Sequence, residues 1–113
     1  MSLPDFLTLI YLAGGVLLMG LAVPLIRGWI PRNALYGFRT PKTLASDEVW
    51  YPANWYSGRC LFAAGAAMLI GAVALRLFGA HLSKDAYAWT GLGVTMVPLL
   101  VALLKSLLFL KRL

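Results

Sequence analysis

Residues 33–59 read NALYGFRTPKTLASDEVWYPANWYSGR. They lie between two runs apolar enough to cross a membrane, residues 6–26 and, continuing to Phe78, residues 60–78. The stretch holds both asparagines of the chain, Asn33 and Asn54, and two of its four acidic residues, Asp47 and Glu48. It also holds Arg39, Lys42 and Arg59, with a dense set of aromatics around them. A mere connector between two spans would be short and plain. This one has the residue types of a folded element.

Working outward, the whole chain is 61% hydrophobic and 12% charged, with mean hydropathy +0.81. Soluble domains average about 45–50% apolar and about 25% charged. Too little polar surface remains to clothe a soluble domain of 113 residues, so the expected solvent is lipid. Three runs reach the length of a span, about 18 residues or more. They predict spans near 6–28, 57–78 and 86–110 in a single membrane domain over 1–113, with the motif loop at 29–56. In lipid each must be a helix, because every backbone donor and acceptor needs a partner within the segment. The expected fold class is all-α and polytopic, with three transmembrane helices and an ordered polar, aromatic loop between the first two. Pro24 and Pro98 each delete a helix hydrogen bond and are expected to kink their spans. The first run reads as a retained span. It has no Lys or Arg before it, and its apolar core is too long for a signal peptide.

The net charge of +6 is distributed unevenly. Arg27, Arg32, Arg39, Lys42 and Arg59 flank the first loop, and Lys105, Lys111 and Arg112 lie toward the C-terminus. Only Arg76 and Lys84 mark the second loop. Basic residues concentrate on the cytosolic side of membrane proteins, so the expected arrangement is N-terminus outside and C-terminus inside. No basic patch lies apart from loops and span ends, which excludes nucleic acid as the expected partner. The span centres carry no ionisable group, which speaks against ion-coupled transport.

Within the loop, Trp29, Ile30 and Pro31 are expected to end the first span, with Pro31 as the stop. Pro41 biases Thr40 toward extended backbone. Ser46 is a favourable N-cap, with Asp47 and Glu48 in the first turn, so a helix is predicted from Asp47, and Pro52 is expected to interrupt it. Asn54 and Gly58 would share one face of that helix. Arg39 is expected to pair with Asp47 or Glu48, since a guanidinium fork matches a carboxylate. Ala63, Ala67 and Gly71 recur every fourth residue, a small-residue face suited to close helix contact within the chain or between copies. The lone Cys60 reads as a small buried residue. The lone His81 has no ligand-type neighbours at metal spacing. No metal or cofactor is expected.

Pro31-Arg32-Asn33, Tyr36-Gly37-x-Arg39-Thr40-Pro41-x-Thr43, Ser46-x-x-x-Trp50 and Asn54-x-x-x-Gly58-Arg59 follow in an order that resembles the signature of the SdpI family. These are small bacterial integral membrane proteins named after a toxin-immunity protein. The resemblance implies a three-span domain in the bacterial inner membrane with the motif in the first cytosolic loop. The named member protects its producer from a secreted peptide toxin and holds a transcriptional repressor at the membrane; longer members carry additional spans. The expected function is therefore non-catalytic binding, with membrane lipids, a peptide toxin or a membrane protein as partner. The expected binding residues are Asn33, Tyr36, Gly37, Arg39, Thr40, Pro41, Thr43, Asp47, Trp50, Asn54 and Arg59. A small oligomeric transporter or lipid flippase, and an accessory subunit of a larger complex, are the alternatives. An enzyme is not expected, because the loop offers hydroxyls and two carboxylates but no Ser/His/Asp or metal cluster.

The charge asymmetry fixes a first prediction. In a Cys60→Ser background, a cysteine placed in the first loop should react with an impermeant maleimide only after cells are opened. Labelling from outside intact cells would reverse the orientation.

Overall fold

The computed structural model describes residues 2–113 and contains four helices among them, with no strand. They are α1 (Leu3–Ile26), a short α2 (Pro41–Ala45), α3 (Asp47–Phe78) and α4 (Lys84–Leu110). Helices α1, α3 and α4 are each long and apolar enough to cross a membrane. They run up, down and up, with α3 in the middle contacting both neighbours, while α1 and α4 touch over a shorter stretch.

The chain begins and ends these helices by local chemistry. Ser2 caps α1 by accepting from the Asp5 amide at 3.3 Å, and Ser83 caps α4 by accepting from Ala86 at 3.1 Å. Helix α1 stops before Pro31, contrary to the expectation that this proline ends it. Gly28 takes φ +70°, its amide donates to Leu25 O at 3.3 Å, and the Trp29 amide donates to Pro24 O at 3.0 Å. This paired closure around a left-handed glycine satisfies carbonyls that the helix end would otherwise leave bare. Pro52 also departs from expectation, since α3 runs through it unbroken. It sits early in the helix, so its missing N–H removes one bond near an end that is already incompletely bonded. Pro24 and Pro98 likewise lie inside continuous helices.

Helix α3 extends well beyond its apolar run. At about 1.5 Å per residue it is roughly 48 Å long, close to the molecule's greatest extent of 51 Å. Charges bracket the spans at a spacing that fits a bilayer. Arg59 to Arg76 on α3 is roughly 26 Å, and Lys84 to Lys105 on α4 roughly 32 Å, against about 30 Å of hydrocarbon. The first turns of α3, from Asp47 to about Gly58, therefore project past the apolar slab at the end where α1 finishes.

The closest backbone approach is between α1 and α3. A Cβ on Gly65 would stand 2.7 Å from Gly15 O, and one on Gly15 would stand 2.8 Å from Gly65 O. Two turns along, a Cβ on Gly58 would press on Ile26 and on the backbone at Ala22. Gly15 and Ala22 on α1 thus face Gly65 and Gly58 on α3, a seven-residue repeat running antiparallel. The small-residue seam lies on this face and not along Ala63, Ala67 and Gly71. Of those three, Gly71 meets α4, where Val94 occupies the space of a Cβ, while Ala63 and Ala67 are exposed. Without a hydrophobic drive between helices in lipid, close packing at glycine supplies the attraction.

Helices α1 and α4 meet in the half distant from the loop. The Tyr11 phenol lies over Gly91, and the Thr8 and Tyr87 hydroxyls are 3.3 Å apart. At that end Arg76 also pairs with Asp5, its Nη2 lying 2.6 Å from Oδ1, joining the start of α1 to the end of α3.

Gly65→Val should push α1 and α3 apart and cost at least about 1–3 kcal/mol, read as a marked fall in melting temperature in detergent. Ala67→Leu, whose side chain would enter an open gap beside α4, should melt near wild type. Equal effects of the two would refute this assignment of the seam.

Candidate functional site

The segment from Arg27 to Ser46 forms a cap over the end of the bundle, and its backbone is held by side chains. Its first turn is organised by Asn33. The Asn33 amide nitrogen donates to Pro31 O at 2.8 Å and Tyr36 O at 2.9 Å, and its oxygen accepts from the Leu35 and Tyr36 amides at 2.8 and 2.6 Å. Asparagine is suited to this because one short amide carries donors and acceptors for its own local backbone. The Tyr36 hydroxyl donates to Leu21 O on α1. Burial pushes the Tyr36 phenol above its ordinary pKa.

The next layer comes from α3. Trp50 is fully buried and Asn54 is 2% exposed. They are one helical turn apart, on one face. The Trp50 indole donates to Ile30 O at 2.8 Å. The Asn54 oxygen accepts from the Phe38 amide at 2.6 Å, while its nitrogen donates to Phe38 O at 3.5 Å and to Trp50 O at 2.9 Å. Asn54 thus treats Phe38 as a neighbouring strand would. Gly37 makes the approach possible. Its φ is +118°, and a Cβ there would lie 2.9 Å from both the Asn54 oxygen and the Trp50 ring. Only glycine adopts that backbone and leaves that space.

The cap closes through α2, a helix the sequence reading did not foresee. Thr40 is extended and caps it, Pro41 takes a first-turn position, and Thr40 and Thr43 form a reciprocal capping box. The Thr43 amide donates to the Thr40 hydroxyl at 3.1 Å, and the Thr40 amide donates to the Thr43 hydroxyl at 2.7 Å. Thr43 is fully buried. Ser46 then serves as the single extended residue between α2 and α3. Its carbonyl accepts from the Trp50 amide at 2.9 Å, but its hydroxyl makes no capping bond.

The ion pair of the cap differs from expectation. Arg32, not Arg39, pairs with Asp47, Nε to Oδ1 at 2.8 Å, and Arg32 also donates to Leu44 O at 3.2 Å. Arg39 instead donates to Ala34 O within the cap. Arg32 lies beside the start of α3, where it reaches both Leu44 O and Asp47, whereas the Arg39 fork is turned to Ala34 O. Both sides of the Arg32–Asp47 pair are well exposed, so it contributes under about 1 kcal/mol. Lys42 ties the cap to α4, donating to Leu110 O at 3.0 Å at the helix C-terminus, where a cation is favoured. Tyr56 stacks on Phe109 at 4.2 Å between ring centres.

The structure therefore brings Asn33, Tyr36, Gly37, Thr40, Pro41, Thr43, Asp47, Trp50 and Asn54 into one assembly. Their polar atoms are largely spent within it, and no buried side-chain polar atom among the described residues lacks a partner. Arg39 stays on its surface. Arg59 stands apart, farther along α3, its guanidinium over the Trp55 ring at 4.7 Å. Beneath Tyr36, Gly37 and Phe38 an apolar crevice of 310 Å³ opens between α1 and α4, lined by Leu21, Leu25, Leu99 and Leu103 with Ser57 and Ser106. The sequence reading missed Lys42, Arg32 and the crevice. A lysine at a helix C-terminus is a common pairing, but nothing in sequence spacing places residue 42 beside residue 110.

A three-span bundle closed by a cap of this motif has a counterpart among known families. The model of the SdpI/YfhL protein family matches residues 29–109. The chain belongs to that family. The match runs from near the start of the cap nearly to the end of α4, so it takes in α2, α3 and all but the last residue of α4. No curated protein and no solved structure matches the chain.

Replacing Asn54 by Leu should leave the Phe38 amide and carbonyl without their partner and cost about 1–3 kcal/mol, read as reduced stability in detergent. Gly37→Ala should do the same or worse, because strain at positive φ adds to the clash. A wild-type melting temperature for both would mean that the clamp does not hold the cap.

Proposed function

We propose that this SdpI-family protein is a non-catalytic membrane binding protein of the toxin-immunity type, protecting the bacterial plasma membrane from a peptide toxin. The observation that carries the reading is the cap. It is an ordered, largely non-helical surface at the membrane boundary, built by the motif residues and carrying exposed Arg39 on the same segment as exposed apolar groups. Leu35 is 89% exposed and Trp29 66%. Arg39 is anchored only through one backbone carbonyl, which leaves the rest of its fork for a partner carboxylate or phosphate. Cation and apolar contacts together suit an amphipathic peptide lying at the membrane surface. The hydroxyls of Thr40 and Thr43 are engaged in the capping box, which favours binding over chemistry.

The charge balance supports an orientation. Eight basic and two acidic side chains lie at the cap end, counting the C-terminal Lys111 and Arg112, while Arg76, Lys84, Asp5 and Asp85 balance at the other. The whole net charge of +6 therefore sits at one end. By the positive-inside rule that end is cytosolic and the N-terminus is outside.

The test is a toxin- and antibiotic-sensitivity screen of a deletion strain, complemented by wild type, Arg39→Lys and Arg39→Ala. Both variants should be expressed and melt within about 0.5–1 kcal/mol of wild type, since Arg39 is exposed and singly anchored. Both should fail to protect, the lysine because an ammonium lacks the planar fork. Full protection by well-expressed Arg39→Ala would remove Arg39 from the site, and a deletion strain indifferent to every toxin would remove the immunity reading.

A further inference from the structure

We propose that the groove between α3 and α4 binds an anionic phospholipid of the surrounding bilayer, with an acyl chain along the groove and the phosphate at its basic mouth. The site is separate from the Arg39 surface and does not rest on the immunity reading. The groove encloses 440 Å³, within the ~300–1,000 Å³ of typical small-molecule sites. It exists because the two helices touch on either side of it. Val94 packs on Gly71 at one end, and Tyr56 stacks on Phe109 at the other. Between these contacts Ala63 and Ala67 face Val97 and Val101 across the gap. The alanine methyls are too short to fill it. A gap facing lipid is filled by lipid, and an acyl chain lying along it would cover Ala63, Ala67, Val97 and Val101.

The headgroup preference comes from charge. Arg59 and Lys105, one from each helix, line the same groove. Both sit where the apolar part of their helix meets the boundary charges, at the depth of lipid phosphates. Neither forms an ion pair among the described residues, whereas Arg32 and Arg76 each hold a carboxylate. The acids nearest that end are Asp47, taken by Arg32, and Glu48 in the first turn of α3. Trp55 holds the Arg59 guanidinium by its ring face, which orients the group and leaves its charge uncompensated. A phosphodiester supplies that charge, accepting from the guanidinium fork and from the lysine ammonium. A zwitterionic headgroup brings its own cation against the same two groups, so an anionic lipid is preferred.

Cys60 lines this groove and is the only cysteine of the chain, which makes its alkylation a local reporter. The full chain in detergent micelles is doped with phosphatidylglycerol or with phosphatidylcholine, and the rate of reaction with a small maleimide is compared. Phosphatidylglycerol should slow Cys60 about tenfold more than phosphatidylcholine, two cations at a membrane surface each contributing several-fold. In Arg59→Gln/Lys105→Gln the difference should fall below about twofold. Lys111→Gln/Arg112→Gln removes the same charge from the same end but outside the groove, and should keep the difference. Ala67→Leu fills the groove and leaves both cations, so it should lose the difference while remaining folded; it decides the matter if the double variant does not fold. No lipid preference in wild type would overturn the proposal. So would a preference retained without Arg59 and Lys105, retained in Ala67→Leu, or lost equally when Lys111 and Arg112 are changed.

Discussion

Two side chains on one turn of α3 hold the cap to the bundle. The Trp50 indole bonds the Ile30 carbonyl, and the Asn54 amide takes both polar groups of Phe38. An irregular segment at a membrane boundary has many backbone groups and no regular ladder to pair them. Buried backbone donors and acceptors left without partners are costly. Helix α3 answers this by extending past the apolar slab and offering a rigid side-chain edge on which the loop is laid. Gly37 is the geometric complement of that edge, because the loop passes closer to Asn54 and Trp50 than any Cβ permits. The motif reads as a set of mutually dependent parts. The fork of Arg32, the reach of Tyr36 to Leu21 and the bond of Lys42 to Leu110 then tie the loop to α3, α1 and α4 in turn.

The same economy appears in the bundle. In lipid, apolar side chains gain nothing from leaving their solvent, so helix association depends on contact quality. Gly15 and Gly65 let α1 and α3 meet backbone to backbone, and this seam fixes how α3 presents Trp50 and Asn54 beneath the loop. Helix α4 is held less tightly to α1. Its contacts with α1 lie at Thr8, Tyr11, Tyr87 and Gly91, and toward the cap the two helices leave the Leu21–Leu103 crevice. The rigid α1–α3 pair carries the cap, while α4 borders both open recesses.

The sequence by itself determined the solvent, the number of spans and the class of fold, because composition and run length are local sums that lipid reads directly. It also placed the start of α3 at Asp47, through Ser46 and the two acids that follow, and marked residues 33–59 as a folded element. Helix starts and apolar length depend on neighbours in the chain, so they are legible there. Tertiary structure decided which face does what. A face is chosen by the crossing of two helices, which depends on residues fifty apart, and that is why the close seam is Gly58 and Gly65 against Ala22 and Gly15 while Ala63 and Ala67 are left exposed. It likewise decided that Asp47 pairs with Arg32, since the folded cap brings Arg32 to the start of α3 and turns Arg39 to Ala34 O. The shape of a polar loop is set by which carbonyls come within hydrogen-bond reach, a matter of three-dimensional distance that residue order does not encode.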